Sequence, residues 1–516
     1  MDDRLAAAWR LLPDYLSQHV LISVCALLLG LAVSLPLAVV ASRNAAVRWP
    51  SLFVASLIQT IPSLALLALF YPLLLAVSAL SLSWFGHGFS ALGFWPALLA
   101  LSLYSMLPIL RNGVAGIAGV DSAAVEAAKG MGMTDAQRLA RIELPLAAPV
   151  IMAGVRTAAV WTIGAATLAT PVGQTSLGNY IFSGLQTENW VYVLFGCGAS
   201  AVLALATDQL LGLIESGLSR RQPWRIWAGA IGLVVGAAAA LSPLVAAPSR
   251  AGAYRIGAKN FAEQYILADL MADRLRATGA TVSTKDDLGS ATAYRALAAG
   301  EIDAYVDYSG TLWANVLGRK DNPGRAAVLA GLTRELKRRD GVVVLGSLGF
   351  ENAYVLAMRR ERAAGLGIRG IDDLSRRAPS LNLGSDLEFL SRPEWKAIQT
   401  AYGLQFAKMT SYQPTFMYRA LESGQADVIS AFSSDGRIAA DHLTVLADPR
   451  HALPPYDAVI LISPRKAGDL RLRATLSPLL GRITVEAMRA ANYEVDRDKD
   501  KLGPDQAARN LAATIK

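Results

Sequence analysis

The stretch Asp121-Ser-Ala-Ala-Val-Glu-Ala-Ala-Lys-Gly130-Met-Gly132-Met-Thr-Asp-Ala-Gln-Arg-Leu-Ala-Arg-Ile142-Glu-Leu-Pro145 decides the architecture. Ala123 to Lys129 are strong helix formers, and Gly130 and Gly132 permit a sharp turn where that helix ends. A second short amphipathic helix is expected to run on to Leu144, with Pro145 at the entry to the next apolar segment. The stretch is rich in charge and lies between two long apolar runs. It therefore reads as a short helix-turn-helix on one face of a membrane.

A helix that crosses the hydrocarbon core needs ~20 apolar residues. Six such segments occur, at about 19–41, 52–79, 92–110, 145–170, 190–217 and 227–247. The second holds Pro62 and Pro72, where it is expected to kink or break. The first is too long for a cleaved signal, lacks a basic leader and is followed by further spans. Arginine and lysine collect in alternate connections: Arg43 and Arg48 in the first, Arg111, Lys129, Arg138 and Arg141 in the third, and Arg220, Arg221 and Arg225 in the fifth. Segments 80–91 and 171–189 hold none. Basic loops stay in the cytoplasm, so this alternation predicts an N-terminus and a C-terminal half outside. Asp208, near the cytoplasmic end of the fifth span, is expected to serve packing or to snorkel.

The chain has 516 residues, 53% hydrophobic and 17% charged. That average hides a split, because residues 1–250 hold the apolar runs and residues 251–516 carry most of the charge. A net charge of +8 without a dense basic run interleaved with aromatics does not predict nucleic-acid binding. Cys25 and Cys197 both fall in apolar runs, so no disulfide framework or thiol chemistry follows. His19, His87, His442 and His451 lack metal-ligand spacing and are expected at surfaces or interfaces, with no metal site and no cofactor. No Gly-Lys pair exists anywhere, so a phosphate-binding P-loop cannot be built.

From Tyr254 the pattern changes. Tyr254–Ala258 reads as a strand, Glu263–Thr278 as an amphipathic helix, the segment around Val282 as a strand, Ala291–Ala299 as a helix and Ile302–Val306 as a strand. This alternation predicts an α/β domain, and its length suits two lobes around a cleft. The division expected is residues 1–249 for the membrane domain, with the loop at about 121–145, and 250–516 for an extracytoplasmic binding domain. Within the latter, lobe 1 is expected over about 254–350 and 456–516, and lobe 2 over about 351–455. The tether Ala246–Gly252 is short, so the binding domain would stay concentrated at the mouth of the membrane domain.

The loop resembles the Glu-Ala-Ala loop of ABC importer permeases, with Glu126, Ala127, Ala128, Gly132 and the Ile142–Pro145 end in place and Ala-Gly-Val-Arg156-Thr downstream. The resemblance covers roughly residues 15–220. It implies that Glu126, Ala127, Ala128, Gly132 and Pro145 couple the permease to a separate ATPase subunit, and that two permease domains pair around one pathway.

The soluble half is similar to the substrate-binding proteins of glycine betaine, choline and proline-betaine importers. The matching pieces are Gly257–Gln264, Ala299–Thr311, Glu388–Pro393, Ala431–Gly436 and Pro455–Asp457, in family order. The resemblance implies a cage of Tyr308, Tyr354, Tyr456 and Phe432, the last standing where the family usually has Tyr. It also implies a carboxylate grip of Lys259, Thr311 and Arg392. Asn352 departs from an acidic residue of some relatives. The chemistry is coherent: a quaternary ammonium has no N–H donor, so ring faces recognise it, at about 0.5–2 kcal/mol each. Arg392 can fork two bonds to a carboxylate. Other readings of these residues are packing for each Tyr, a solvated Lys259, and local pairing of Arg392 with Glu388 or Glu394.

The expected function is the permease and binding subunit of an ATP-driven importer for a small zwitterionic or cationic solute, such as glycine betaine, choline or proline betaine. The same machine carrying ergothioneine is the nearest alternative, since its bulk would tolerate Phe432. A ligand-gated channel or sensor is the alternative of another class, but a channel needs no ATPase dock. No nucleophile–base pair supports an enzyme.

Overall fold

The computed structural model describes residues 3–85, 89, 91–186, 189–246, 254–319, 321–386, 389–412, 414–497 and 500–515. His87, Glu388 and tether residues 247–252 lie outside these. The chain forms two compact units, divided chiefly between Ser249 and Arg250.

The first unit is helical. Its elements are α1 (Asp3–Arg43), α2 (Ala45–Thr60), α3 (Ser63–Phe85), α4 (Phe94–Ala118), α5 (Ser122–Gly130), α6 (Asp135–Arg138), α7 (Leu144–Ala166), α8 (Gly178–Gln186), α9 (Trp190–Ser219) and α10 (Pro223–Ala246). Among the described residues, six helical stretches are long and apolar enough to cross a membrane: Leu5–Arg43, Ser63–Phe85, Phe94–Ala118, Asp135–Val172, Trp190–Ser219 and Pro223–Leu244. Leu194, Val202 and Val234 lie bare on α9 and α10, as hydrocarbon-facing side chains do.

Several boundaries differ from the sequence reading, each for a physical reason. The helix of the first span starts sixteen residues before position 19, at Asp3, because Arg10 and Asp14 interrupt the apolar run without interrupting the helix. Ala8, Leu12, Tyr15 and Leu16 pack there against Leu177 and Tyr180. The second segment is two helices. Ile61, just before Pro62, is extended (φ −71°, ψ 128°), since a residue preceding proline is pushed out of the helical region. Tyr104 donates its hydroxyl to the freed Ile61 carbonyl. His19 is not at a surface. It is fully buried, accepts from the Leu177 N–H at Nδ1 (3.3 Å) and so donates Nε2–H to Ile163 O (3.1 Å). Asp208 is tied into the bundle by a forked ion pair with Arg156 of α7, at 2.5 and 2.7 Å, while the same guanidinium reaches Glu215 at 3.3 Å. The α1–α4 contact is close: a Cβ at Gly30 would overlap the Ser105 hydroxyl at 1.8 Å.

The second unit contains two five-stranded sheets. The strands are β1 (Tyr254–Lys259), β2 (Val282–Leu288), β3 (Ala304–Tyr308), β4 (Val343–Glu351), β5 (Tyr354–Arg359), β6 (Asn382–Asp386), β7 (Lys408–Tyr412), β8 (Val428–Phe432), β9 (Leu443–Val445) and β10 (Asp457–Ile462). One sheet has the order β2-β1-β3-β10-β4 and the other β7-β6-β8-β5-β9. β1 runs parallel to β2 and β3, and β6 parallel to β7 and β8, while β10 and β5 run antiparallel to their neighbours. The chain passes from the first sheet to the second after Glu351 and returns before Asp457. The fold is thus an all-α domain of membrane-spanning type followed by a two-lobed α/β domain. Ligands in open α/β sheets sit beyond the carboxyl ends of parallel strands. Here those ends place Lys259 (β1), Tyr308 (β3), Asp386 (β6) and Phe432 (β8) toward one cleft.

Candidate functional site

The cleft holds a cavity of about 270 Å³. Lys259, Tyr308, Thr311, Asn352, Tyr354, Arg392, Phe432 and Tyr456 all line it. They come from separate stretches of chain, brought together by the two crossings between lobes.

One wall is aromatic. Tyr354, at the start of β5, is its centre: ring centroids lie 4.7 Å away in Phe432, 5.0 Å in Phe389 and 6.0 Å in Tyr456. Phe432 is opposite Tyr354 in the antiparallel β5–β8 register, which forces the two rings together. Tyr456 is packed on the backbone of Gly310, where a Cβ would lie 2.6 Å from the ring. The Gly of the Tyr308–Thr311 turn therefore exists to admit that ring. Tyr308 stacks on Phe261 at 6.2 Å on the other side.

The cationic groups are buried and paired. Lys259 is not solvated; it is 2% exposed and its ammonium meets Asp307, with the Tyr308 ring centroid 5.2 Å away. One donor goes to Asp307, and an ammonium has three. Arg392, 8% exposed, donates Nε and Nη2 to Glu394 at 3.2 and 3.3 Å and Nη2 to the Tyr456 hydroxyl at 3.2 Å. Its guanidinium also lies 5.3 Å from the Tyr354 ring centroid. Local pairing with Glu394 and a place in the cavity wall are thus compatible. Thr311 is buried in the turn that follows β3.

The most connected group was missed by the sequence reading. Glu263, 3% exposed at the start of helix α11 (Ala262–Ala277), accepts from Tyr308 Oη (2.5 Å), Asn352 Nδ2 (3.1 Å), Ser434 Oγ (2.6 Å) and Asn492 Nδ2 (2.9 Å). Burial raises its carboxyl pKa above the usual 4.5, against the pull of those four donors. Burial likewise pushes the Tyr308 phenol well up, so it stays a donor. Asn352 and Asn492 keep their Nδ2 on Glu263, and each leaves a buried Oδ1 without a partner among the described residues. Phe261, Phe389 and Asp307 were also missed. Phe261 and Glu263 lie inside the Gly257–Gln264 stretch and Asp307 directly precedes Tyr308, so the motifs contained the signal.

In the helical unit, the loop departs from the expected helix-turn-helix. α5 includes Gly130, and only Gly132 (φ +75°) takes the left-handed turn. Thr134 caps α6 in a reciprocal box with Gln137. The second helix is not separate: after Arg138 the chain makes a π-type turn over Leu139–Glu143 and runs straight into α7, so Pro145 lies in the first turn of α7. Glu126, Ala127 and Pro145 are exposed, whereas Ala128 is buried against its own unit.

Comparison with known proteins agrees with both units. Residues 252–513 match the family model described as the substrate binding domain of the ABC-type glycine betaine transport system. Residues 28–220 match the binding-protein-dependent transport system inner membrane component. The chain is 28% identical over 485 residues to the ergothioneine transport permease/ergothioneine binding protein EgtU of Helicobacter pylori (strain G27), covering 89% of this chain and 82% of that protein. It is 42% identical over 202 residues to the choline transport system permease protein OpuBB of Bacillus subtilis (strain 168), covering 39% of this chain and 86% of the relative. A solved glycine betaine/carnitine/choline ABC transporter structure aligns with a TM-score of 0.45 at 26% identity, over 50% of this chain and 97% of that one. The chain therefore belongs to the ABC-type glycine betaine importer family, as a fusion of the inner-membrane permease component with the family's substrate-binding domain.

Proposed function

We propose that this subunit imports a small solute carrying both a quaternary ammonium and a carboxylate, powered by a separate ATPase that docks on the α5–α6 loop. A second copy would complete the pathway, and the binding domain would lie outside the cytoplasm. The observation that carries the reading is the juxtaposition in one buried cavity of the Tyr354 ring cluster with Lys259 and Arg392. Ring faces suit an ammonium with no N–H, and the two cationic groups suit a carboxylate. Lining charges number three basic (Lys259, Arg392, Arg437) against four acidic (Glu263, Asp386, Asp435, Asp496), which disfavours a simple anion. Glycine betaine and proline betaine fit this description, and choline fits its cationic half.

A second reading, ergothioneine, has a specific observation in its favour. The orphan Oδ1 atoms of Asn352 and Asn492 would each gain from a ligand donor, since a buried acceptor left unmade costs about 1–3 kcal/mol. Glycine betaine and proline betaine have no N–H or O–H, whereas ergothioneine has ring N–H groups. A relative that matches along both domains is named for ergothioneine transport. Titration calorimetry of the purified chain with glycine betaine, proline betaine, choline, carnitine, ergothioneine and unmethylated glycine tests both. Trimethylated ligands should bind at least tenfold tighter than glycine. Equal affinity for glycine would sink the cage.

A further inference from the structure

We propose that Glu143 is the joint through which the α5–α6 loop moves the first membrane helix; this rests on the reading of that loop as the ATPase dock. Glu143 is 6% exposed although it lies at the edge of a charged loop. Its two oxygens are held from opposite sides. Oε1 accepts from Nε of Arg138, the last residue of α6, at 2.7 Å. Oε2 accepts from Nη2 of Arg43, the last residue of α1, at 2.9 Å and a hundred residues away in sequence. Arg138 is further fixed by Asp135 at 2.8 Å.

A covalent route also leads from the loop into α7. It passes through the π-type turn Leu139–Glu143, where the regular i to i−4 ladder is interrupted; such turns are local adjustments in a helix and cluster at functional sites. The Arg138–Glu143–Arg43 bridge bypasses that turn. The Glu143 carboxylate is buried between the two guanidiniums and bonded to both, a directional geometry by which a displacement of Arg138 would pull on Arg43. Arg43 ends the helix whose Gly30 lies against Ser105 in the bundle core, so a shift at its end is transmitted along a packed seam. Glu143 is thus a positioning residue: it touches neither solute nor nucleotide, and acts through Arg43.

Hydrogen exchange on the importer purified with its ATPase subunit, with and without Mg-ATP and vanadate, tests this. In the unmodified importer, trapping should change exchange in residues 122–130 and in residues 39–43. Glu143→Gln and, from the other side, Arg43→Met should keep the response of 122–130 and reduce that of 39–43 at least threefold. Glu143→Asp, which keeps the charge, should restore at least half of it. An undiminished response of 39–43 in both variants, or no such response in the unmodified importer, overturns the proposal. Joint loss of both responses in Glu143→Gln also overturns it, by assigning the residue to loop folding alone. No response of 122–130 in the unmodified importer sinks the docking reading itself.

Discussion

Replacing Tyr308 by Phe retains the ring and would be mild if the ring face were all that mattered. The structure predicts otherwise. The hydroxyl donates to Glu263 at 2.5 Å and accepts from Gln264 Nε2 at 3.0 Å, and both partners are almost fully buried. Its removal deletes a hydrogen bond to a charged group, about 1.5–3 kcal/mol, and leaves the Gln264 donor unmet, about another 1 kcal/mol or more. A loss of roughly 2.5–4 kcal/mol lowers the melting temperature of a domain of this size by about 5–16 °C. The effect should depend on pH. Burial raises the folded-state pKa of Glu263 above 4.5, so the carboxyl is protonated in folded and unfolded chains below that value and ionises in the folded chain only as pH rises through the raised one. The charge-assisted part of the bond exists only with the carboxylate. The Tyr308→Phe deficit should therefore be smallest below pH 4.5 and grow as the pH rises above it. Scanning calorimetry of the purified chain and the variant at several pH values measures it. A melting temperature unchanged within about 1 °C, or a deficit that shrinks as pH rises, would refute the assignment of Glu263 as the hub.

Gly310→Ala places a Cβ 2.6 Å from the Tyr456 ring and should displace it, weakening solute binding about tenfold or more in calorimetry while the fold survives. Gly132→Val should abolish uptake by membrane vesicles and leave solute binding intact. Nothing lies within 4 Å of a Cβ there, so the cost is the positive φ, about 1–3 kcal/mol concentrated in the loop. A membrane-impermeant thiol label should reach Arg338→Cys from outside and Lys129→Cys only after permeabilisation, with Cys197 first changed to Ser because it is exposed. The opposite pattern would reverse the orientation.

Much of this protein is written in local sequence. Runs of apolar residues long enough for a bilayer mark the helices whatever they pack against, and the strand–helix alternation after Tyr254 marks an α/β domain. The break at Pro62 was legible because proline acts on its own neighbour. Lys259, Tyr308, Thr311, Arg392, Phe432 and Tyr456 could be singled out because each sits in a short motif. Their partners could not, because pairing is decided by the path of the chain. Lys259 reads from sequence either as part of a carboxylate grip or as a solvated cation, and only β3 sets Asp307 beside it. His19 reads as a surface or interfacial residue until Ile163 and Leu177 close over both ring nitrogens. Nothing in the sequence singles out Glu143, and the end of α1 brings Arg43 to it. The identity of a side chain states which bonds it can make. Only the tertiary structure decides which it does make, because a buried polar group must take its partner from whatever the fold places within about 3 Å.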